Sequence, residues 1–236
     1  VKGLLAQALG ASLEAQLTGT AVTSDSPRIK GTIKVPAMNL REVLAKTGSP
    51  MVTGDPEAMS SFGLDAALAY DGKSAVLSDL KAVLDQTRLD GRFSIVDLDR
   101  QAMTFDLAVD AIDLDRYLPP AEEDADKDSS DAQADEELDL SGLKSLNAKG
   151  QLKVGELRLS GLVFTDALVT VNASGGVLRL HPLSTKFYGG KYEGDVRLDA
   201  TGDQARLSLN ERLTGVQLAP VMKVLSDHQF VSGAAG

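Results

Sequence analysis

The feature that most constrains this chain is a period of two. From Lys191 it reads KYEGDVRLDA, with Lys191, Glu193, Asp195, Arg197 and Asp199 on one side and Tyr192, Val196, Leu198 and Ala200 on the other. Ten residues of such alternation form a strand with one wet face and one apolar face. The pattern recurs. Ile29, Ile33 and Val35 oppose Lys30, Thr32 and Lys34, and Leu89, Phe93 and Ile95 oppose Asp90, Arg92 and Ser94. Met103, Phe105, Leu107, Val109 and Ala111 share a face, as do Ala167, Val169, Val171 and Ala173. Residues 151–159 change phase across Gly155, which predicts a bulge. Turn signals recur at Tyr70-Asp71-Gly72, Asp90-Gly91, Ser174-Gly175-Gly176, Gly189-Gly190 and Gly202-Asp203. Strands at this spacing predict a mainly β protein. The expected fold is a curved antiparallel sheet, as an open groove or a half-barrel or sandwich, with a few short helices.

The pair Gly189-Gly190 admits two readings. A phosphate-binding loop needs a helix directly after it, to supply amides and a dipole. The residues after Gly190 form the alternating strand instead, so a tight hairpin turn is the better account, with φ > 0 expected at Gly190.

Helical signals are short. Asn39 caps a predicted helix over residues 40–46 with Gly48 as its stop, a second runs from Ala219 to Leu225, and a third from Leu114 to Leu118 ends at Pro119-Pro120. Each begins with an apolar residue, a polar residue and Leu: Met38-Asn39-Leu40, Ile112-Asp113-Leu114 and Val216-Gln217-Leu218. An apolar pair comes next at Val43-Leu44, Tyr117-Leu118 and Val221-Met222. The pattern reads as a diverged internal repeat of several strands closed by a short helix, with chance recurrence as its rival.

Charge divides the chain. Residues 121–140 hold ten acids and one Lys, and the rest holds 24 acids against 23 bases. The net charge of −10 therefore belongs almost entirely to one segment. Its low-complexity composition reads as a solvated linker or loop. An EF-hand is disfavoured, since no glycine lies inside the run to make the sharp turn. The chain thus divides into three regions: an N-terminal β-rich part over 1–118, the acidic linker over 119–140, and a β-meander over 141–236. The near-neutral body has no basic stripe with interleaved aromatics, so nucleic acid is not an expected partner.

Catalytic constellations are missing. The chain has no Cys and two histidines, His181 and His228, neither in a metal-ligand spacing. Asp113 and Asp115 flank a helix start, where acids cap or are solvated. A non-enzymatic protein with no cofactor and no metal is expected. No run of about 18 apolar residues occurs. The opening residues Val1-Lys2-Gly3 carry no leader pattern, so any anchor is expected outside this chain.

The C-terminal half resembles the AsmA family of Gram-negative envelope proteins. The residues that carry the likeness are Ser145–Gly150, Gly155–Leu159, Gly175–Leu180, Pro182–Gly190, Tyr192–Gly194, Leu198–Ala200, Leu207–Leu209 and Leu213–Val216. A looser match runs through Val83–Gly91 and Asp113–Pro120. The resemblance implies an inner-membrane protein whose N-terminal anchor helix, absent from this chain, tethers a β-rich body in the periplasm. It also implies a role in outer-membrane assembly and lipid homeostasis, and larger relatives form a long β-groove thought to carry phospholipids. The expected partners are phospholipid or acyl chains and an envelope protein. Groove candidates from the alternating strands are Phe105, Leu107, Val109, Tyr192, Val196 and Leu198. An aliphatic face can line a groove for acyl chains, or it can pack on a second sheet as an ordinary core. A closed core would favour the alternative of a scaffold that binds an outer-membrane biogenesis protein through a free strand edge.

Overall fold

The computed structural model describes residues 3–21, 27–119, 141–202 and 204–227. Apart from Pro119, the acidic linker lies outside the described residues, as does His228. Twelve strands form one sheet in strict chain order. They are β1 (Leu4–Ala8), β2 (Ala11–Thr20), β3 (Arg28–Met38), β4 (Phe62–Tyr70), β5 (Ala75–Leu84) and β6 (Thr87–Asp97). Next come β7 (Ala102–Asp113), β8 (Asn147–Leu159), β9 (Leu162–Ser174), β10 (Val177–Phe187), β11 (Gly190–Asp199) and β12 (Arg206–Thr214). Every pair is antiparallel except β7 and β8, which run parallel from Ala102↔Asn147 to Asp113↔Arg158. The expected antiparallel sheet therefore has one exception. A parallel neighbour requires the chain to return from one end of the sheet to the other, so a hairpin cannot make this connection.

β1 and β12 each pair on one side only, so the sheet is open and not a barrel. Register breaks recur between Val35 and Met38, Leu77 and Leu80, Ile95 and Asp97, and Leu180 and Leu183. Such irregularities bend a strand and increase its twist.

The helices sort to the two ends of the strands. α1 (Leu40–Lys46) succeeds β3, a 3-10 turn (Leu114–Arg116) succeeds β7, and a terminal helix (Leu218–Asp227) succeeds β12. Strand direction alternates except at the parallel pair, so β3, β7 and β12 all finish at the same end, here termed the upper rim. α2 (Ser141–Ser145) precedes β8 and lies at the lower rim; the terminal helix is α3. Asn39 caps α1 as expected, its side chain accepting from the Glu42 amide at 3.0 Å. The sequence pattern gives no sign of α2.

Four hairpins turn on two residues that both have positive φ: Leu9-Gly10, Ser160-Gly161, Gly175-Gly176 and Tyr188-Gly189. This is the type I′ pattern, whose twist matches the flanking strands. The Gly189-Gly190 pair is thus a hairpin, with a shift of one residue from the expected position. The turn is Tyr188-Gly189, at φ 43° and 79°, and Gly190 is already the first residue of β11. Gly190 does not have positive φ. Its constraint is space: a Cβ there would lie 2.4 Å from the Thr214 carbonyl oxygen and 2.5 Å from the Val216 amide nitrogen. Gly190→Val should lower stability by about 1–2 kcal/mol, the mild end of overpacking, because the edge strand β12 can yield outward. Chemical denaturation measures it; no change in midpoint would show that the chain end relaxes freely.

Two other expectations are corrected. Asp90-Gly91 is no turn but the middle of β6, where Gly91 pairs with Leu80 and Leu107. A Cβ at Gly91 would stand 2.1 Å from the Asp106 carbonyl oxygen, so the glycine serves close strand approach. No residue is inserted at Gly155 either, since Val154↔Ala167 and Glu156↔Thr165 hold one register. The irregularity lies in its neighbour Asp166, which has φ 52°.

Candidate functional site: an open aliphatic face

Residues paired across adjacent strands project from the same face of a sheet. Along the registers, one row runs Leu17, Gly31, Leu68, Leu77 and Phe93 from β2 to β6. It continues through Phe105, Gly150, Val171, Leu180, Val196 and Leu209 to β12. A second row passes Met103, Ala148, Ala173, Leu178, Leu198 and Leu207. No polar side chain interrupts either row. The parallel junction does not break them, because both its strands keep the phase of their neighbours. At about 4.8 Å between strands, the face extends roughly 50 Å along the stacking direction.

The opposite face carries the charge. Arg179 makes two bonds to Asp195, at 3.0 and 2.6 Å, and Lys186 meets Asp166 at 2.7 Å. Arg197 donates to Asp199 at 3.1 Å. The Thr201 hydroxyl and amide, together with Arg197, hold the Asp199 carboxyl down at about 2. These pairs are exposed and mainly keep this face in water.

All twelve described strands belong to one sheet, so no second sheet of described strands covers the aliphatic face. Cover is local. Leu143 of α2 packs with Ala148, Ala173 and Ala200, and Met103, Phe105, Leu146, Leu178 and Leu198 lie against that cluster. The only core cluster is therefore a small one at the lower rim, among the described residues. Toward β12 the face opens, with Leu207, Leu209 and Leu213 at 62%, 58% and 59% exposure. Between these limits the apolar side chains are half-buried, shaded by one another, which explains why the small residues Ala15, Ala66 and Ala167 are buried.

The six groove candidates all fall on this face, in two groups. Phe105, Leu107 and Val109 stand on β7, Tyr192, Val196 and Leu198 on β11, with β8 to β10 between them. Phe105 and Leu198 help to form the α2 cluster, whereas Leu107, Val109, Tyr192 and Val196 stand outside it. The upper rim holds a polar network that the sequence pattern does not mark. Asp85, in the β5–β6 turn, accepts from the Met59 and Ser61 amides at 2.9 and 3.1 Å. It also accepts from the Tyr117 and Ser60 hydroxyls, at 2.9 and 3.2 Å. Burial raises its carboxyl, but these donors outweigh it and the net shift is downward. Burial, and then the bond to Asp85, pushes the Tyr117 hydroxyl up to about 12. Arg116 bonds Asp55 at 2.7 Å, and Asp115 accepts from the Ser160 and Gly161 amides at 2.5 and 2.8 Å. The 3-10 turn thereby ties the loop after α1 to two hairpins. Asp113 is a cap, accepting from the Asp115 amide at 3.1 Å.

Among the described residues no group of three or more His, Asp or Glu side chains is placed to hold a metal ion. No described helix is long and apolar enough to cross a membrane. The AsmA family model matches residues 32–236, from the middle of β3 onward. The chain belongs to the AsmA family. No curated protein and no solved structure matches it. AsmA membership and a single large open sheet together fit an envelope-related protein.

Proposed function

We propose that this AsmA-family chain is the periplasmic part of an inner-membrane-tethered, non-enzymatic protein that holds phospholipid acyl chains on its aliphatic face. Through that binding it serves phospholipid transport or homeostasis and outer-membrane assembly. The observation that carries the reading is the uninterrupted apolar row from β2 to β12 on a face that no second sheet of described strands covers. Ten methylenes laid there, losing half their contact with water, contribute roughly 4 kcal/mol at about 0.8 kcal/mol for each CH2 fully buried. A double-tailed lipid then binds firmly enough to be carried and weakly enough to be released.

The second reading has its own observation. β12 is exposed along its whole length and its outer edge is unpaired among the described residues, a surface on which a partner's strand can add. The two readings separate in one experiment. Native mass spectrometry of protein purified without harsh delipidation should find phospholipid on the wild type. Leu107→Asp and Val196→Asp should each cost only about 1 kcal/mol, since a carboxylate at a half-buried open position keeps part of its water. Both should sharply reduce the bound lipid. Unfolding of both variants, with a lipid-free wild type, would overturn the groove reading in favour of the scaffold.

A further inference from the structure

At the β12 end of the aliphatic face an ionisable side chain stands among apolar ones. Glu211 of β12 pairs with Gly194 of β11, whose neighbours on that face are Tyr192 and Val196. The row leading to it is Leu107, Leu152, Val169, Leu183 and Gly194. Glu211 is therefore an ionisable side chain projecting among aliphatic ones. The space over Gly194 confirms the placement independently. A Cβ there would stand 2.8 Å from the Tyr192 hydroxyl and 3.1 Å from Glu211 Oε2. Two side chains from adjacent strands thus bring a hydroxyl and a carboxylate oxygen to one point, over a residue with no side chain of its own. Glu211 makes no ion pair with any described residue.

We infer that Glu211 and Tyr192 form a head-group subsite that takes the primary ammonium of an amphiphile whose tails lie along the aliphatic row. The inference rests on the groove reading and deepens it. A carboxylate accepts charge-assisted bonds from an ammonium, and a phenol hydroxyl adds a further acceptor. The nearest side chains on this face, Leu183, Val196, Leu209 and Leu213, are all apolar, so no cation of the sheet competes. A quaternary ammonium carries the charge but no N–H to donate, and an anionic head group meets like charge. An exposed carboxylate is screened, so the discrimination is modest, about two- to fivefold.

The test uses short-chain phosphatidylethanolamine, phosphatidylcholine and phosphatidylglycerol as separate probes, titrated against the whole chain by native mass spectrometry or calorimetry. Phosphatidylethanolamine should bind about two- to fivefold more tightly than the other two. Glu211→Gln should erase that preference while leaving tail binding and melting temperature unchanged, because the position is exposed on an edge strand. Glu211→Lys should reverse the preference toward phosphatidylglycerol, and Tyr192→Phe should weaken it in part. Free ethanolamine at millimolar concentration should not bind; affinity equal to the lipid's would overturn the assignment to an amphiphile. Equal binding of all three lipids, unaltered by Glu211→Gln, sinks the subsite and leaves the groove standing. A wild type that binds none of them removes both.

Discussion

Asp85→Ala should lower the melting temperature by about 5–15 °C, a loss of about 2–4 kcal/mol in a chain of this size. The carboxylate serves two amides and two hydroxyls from two segments, residues 59–61 and Tyr117, and the Met59 it holds is buried. Removing the acceptor leaves those donors without a protein partner, which costs more than the bonds themselves contribute. The effect should carry a pH signature. The folded carboxyl lies below its ordinary value of 3.8, so the stability it contributes is present above that value and is lost as pH falls through the folded one. The gap between wild type and variant should be constant from about pH 7 to 5 and narrow below 3.8. Tyr117→Phe, which removes one of the four donors, should cost only about 1 kcal/mol. Thermal melts tracked by circular dichroism at three pH values decide the matter. A gap that ignores pH would mean the loss comes from packing and not from the ionised acceptor.

The sheet was legible because β3, β6, β7 and β11 alternate large aliphatic residues with charges, so period two is loud there. β2 alternates as strictly, but its face is Ala11, Leu13, Ala15 and Leu17 opposite Ser12, Glu14 and Gln16, and small residues mute the contrast. The parallel junction had no local sign. Strand direction depends on how the chain returns between β7 and β8, and β8 reads the same in either orientation. Glycine misleads in one direction only. Gly91, Gly155 and Gly190 read as turn, bulge and turn, yet each serves a close approach of backbones inside the ladder. A sequence shows that a side chain is missing but not which neighbour needs the room. The groove candidates were legible as a face. That the face lies open could not be read, since a strand of a sandwich and a strand of an open sheet carry the same alternation. Asp85 and Glu211 stay hidden in the sequence for the same reason: each is an ordinary acid until the register sets other chains beside it.

Gly150→Val tests the junction where the two halves of the sheet meet. Propensity favours the change, because Gly in a strand interior costs roughly 0.5–1 kcal/mol and Val suits a pleated sheet. Geometry opposes it. A Cβ at Gly150 would lie 2.3 Å from the Phe105 carbonyl oxygen and 2.5 Å from its ring. β8 is held by β7 on one side and β9 on the other, so it cannot move aside as the edge strand can. Overpacking in such a place costs about 1–3 kcal/mol, and a clash with backbone belongs at the top of that range. The net expectation is a loss of about 2 kcal/mol, or roughly 4–8 °C in melting temperature. The displaced Phe105 ring lies against the Leu143 cluster, so the seat of α2 at the lower rim should loosen as well. Phe105→Ala removes the ring but not the carbonyl. The double variant should therefore be less unstable than the two single losses added together, with a coupling of about 1 kcal/mol. A double-mutant cycle by chemical denaturation measures that coupling. Strict additivity would show that the ring turns away without cost, and that Gly150 is required by the backbone of β7 alone.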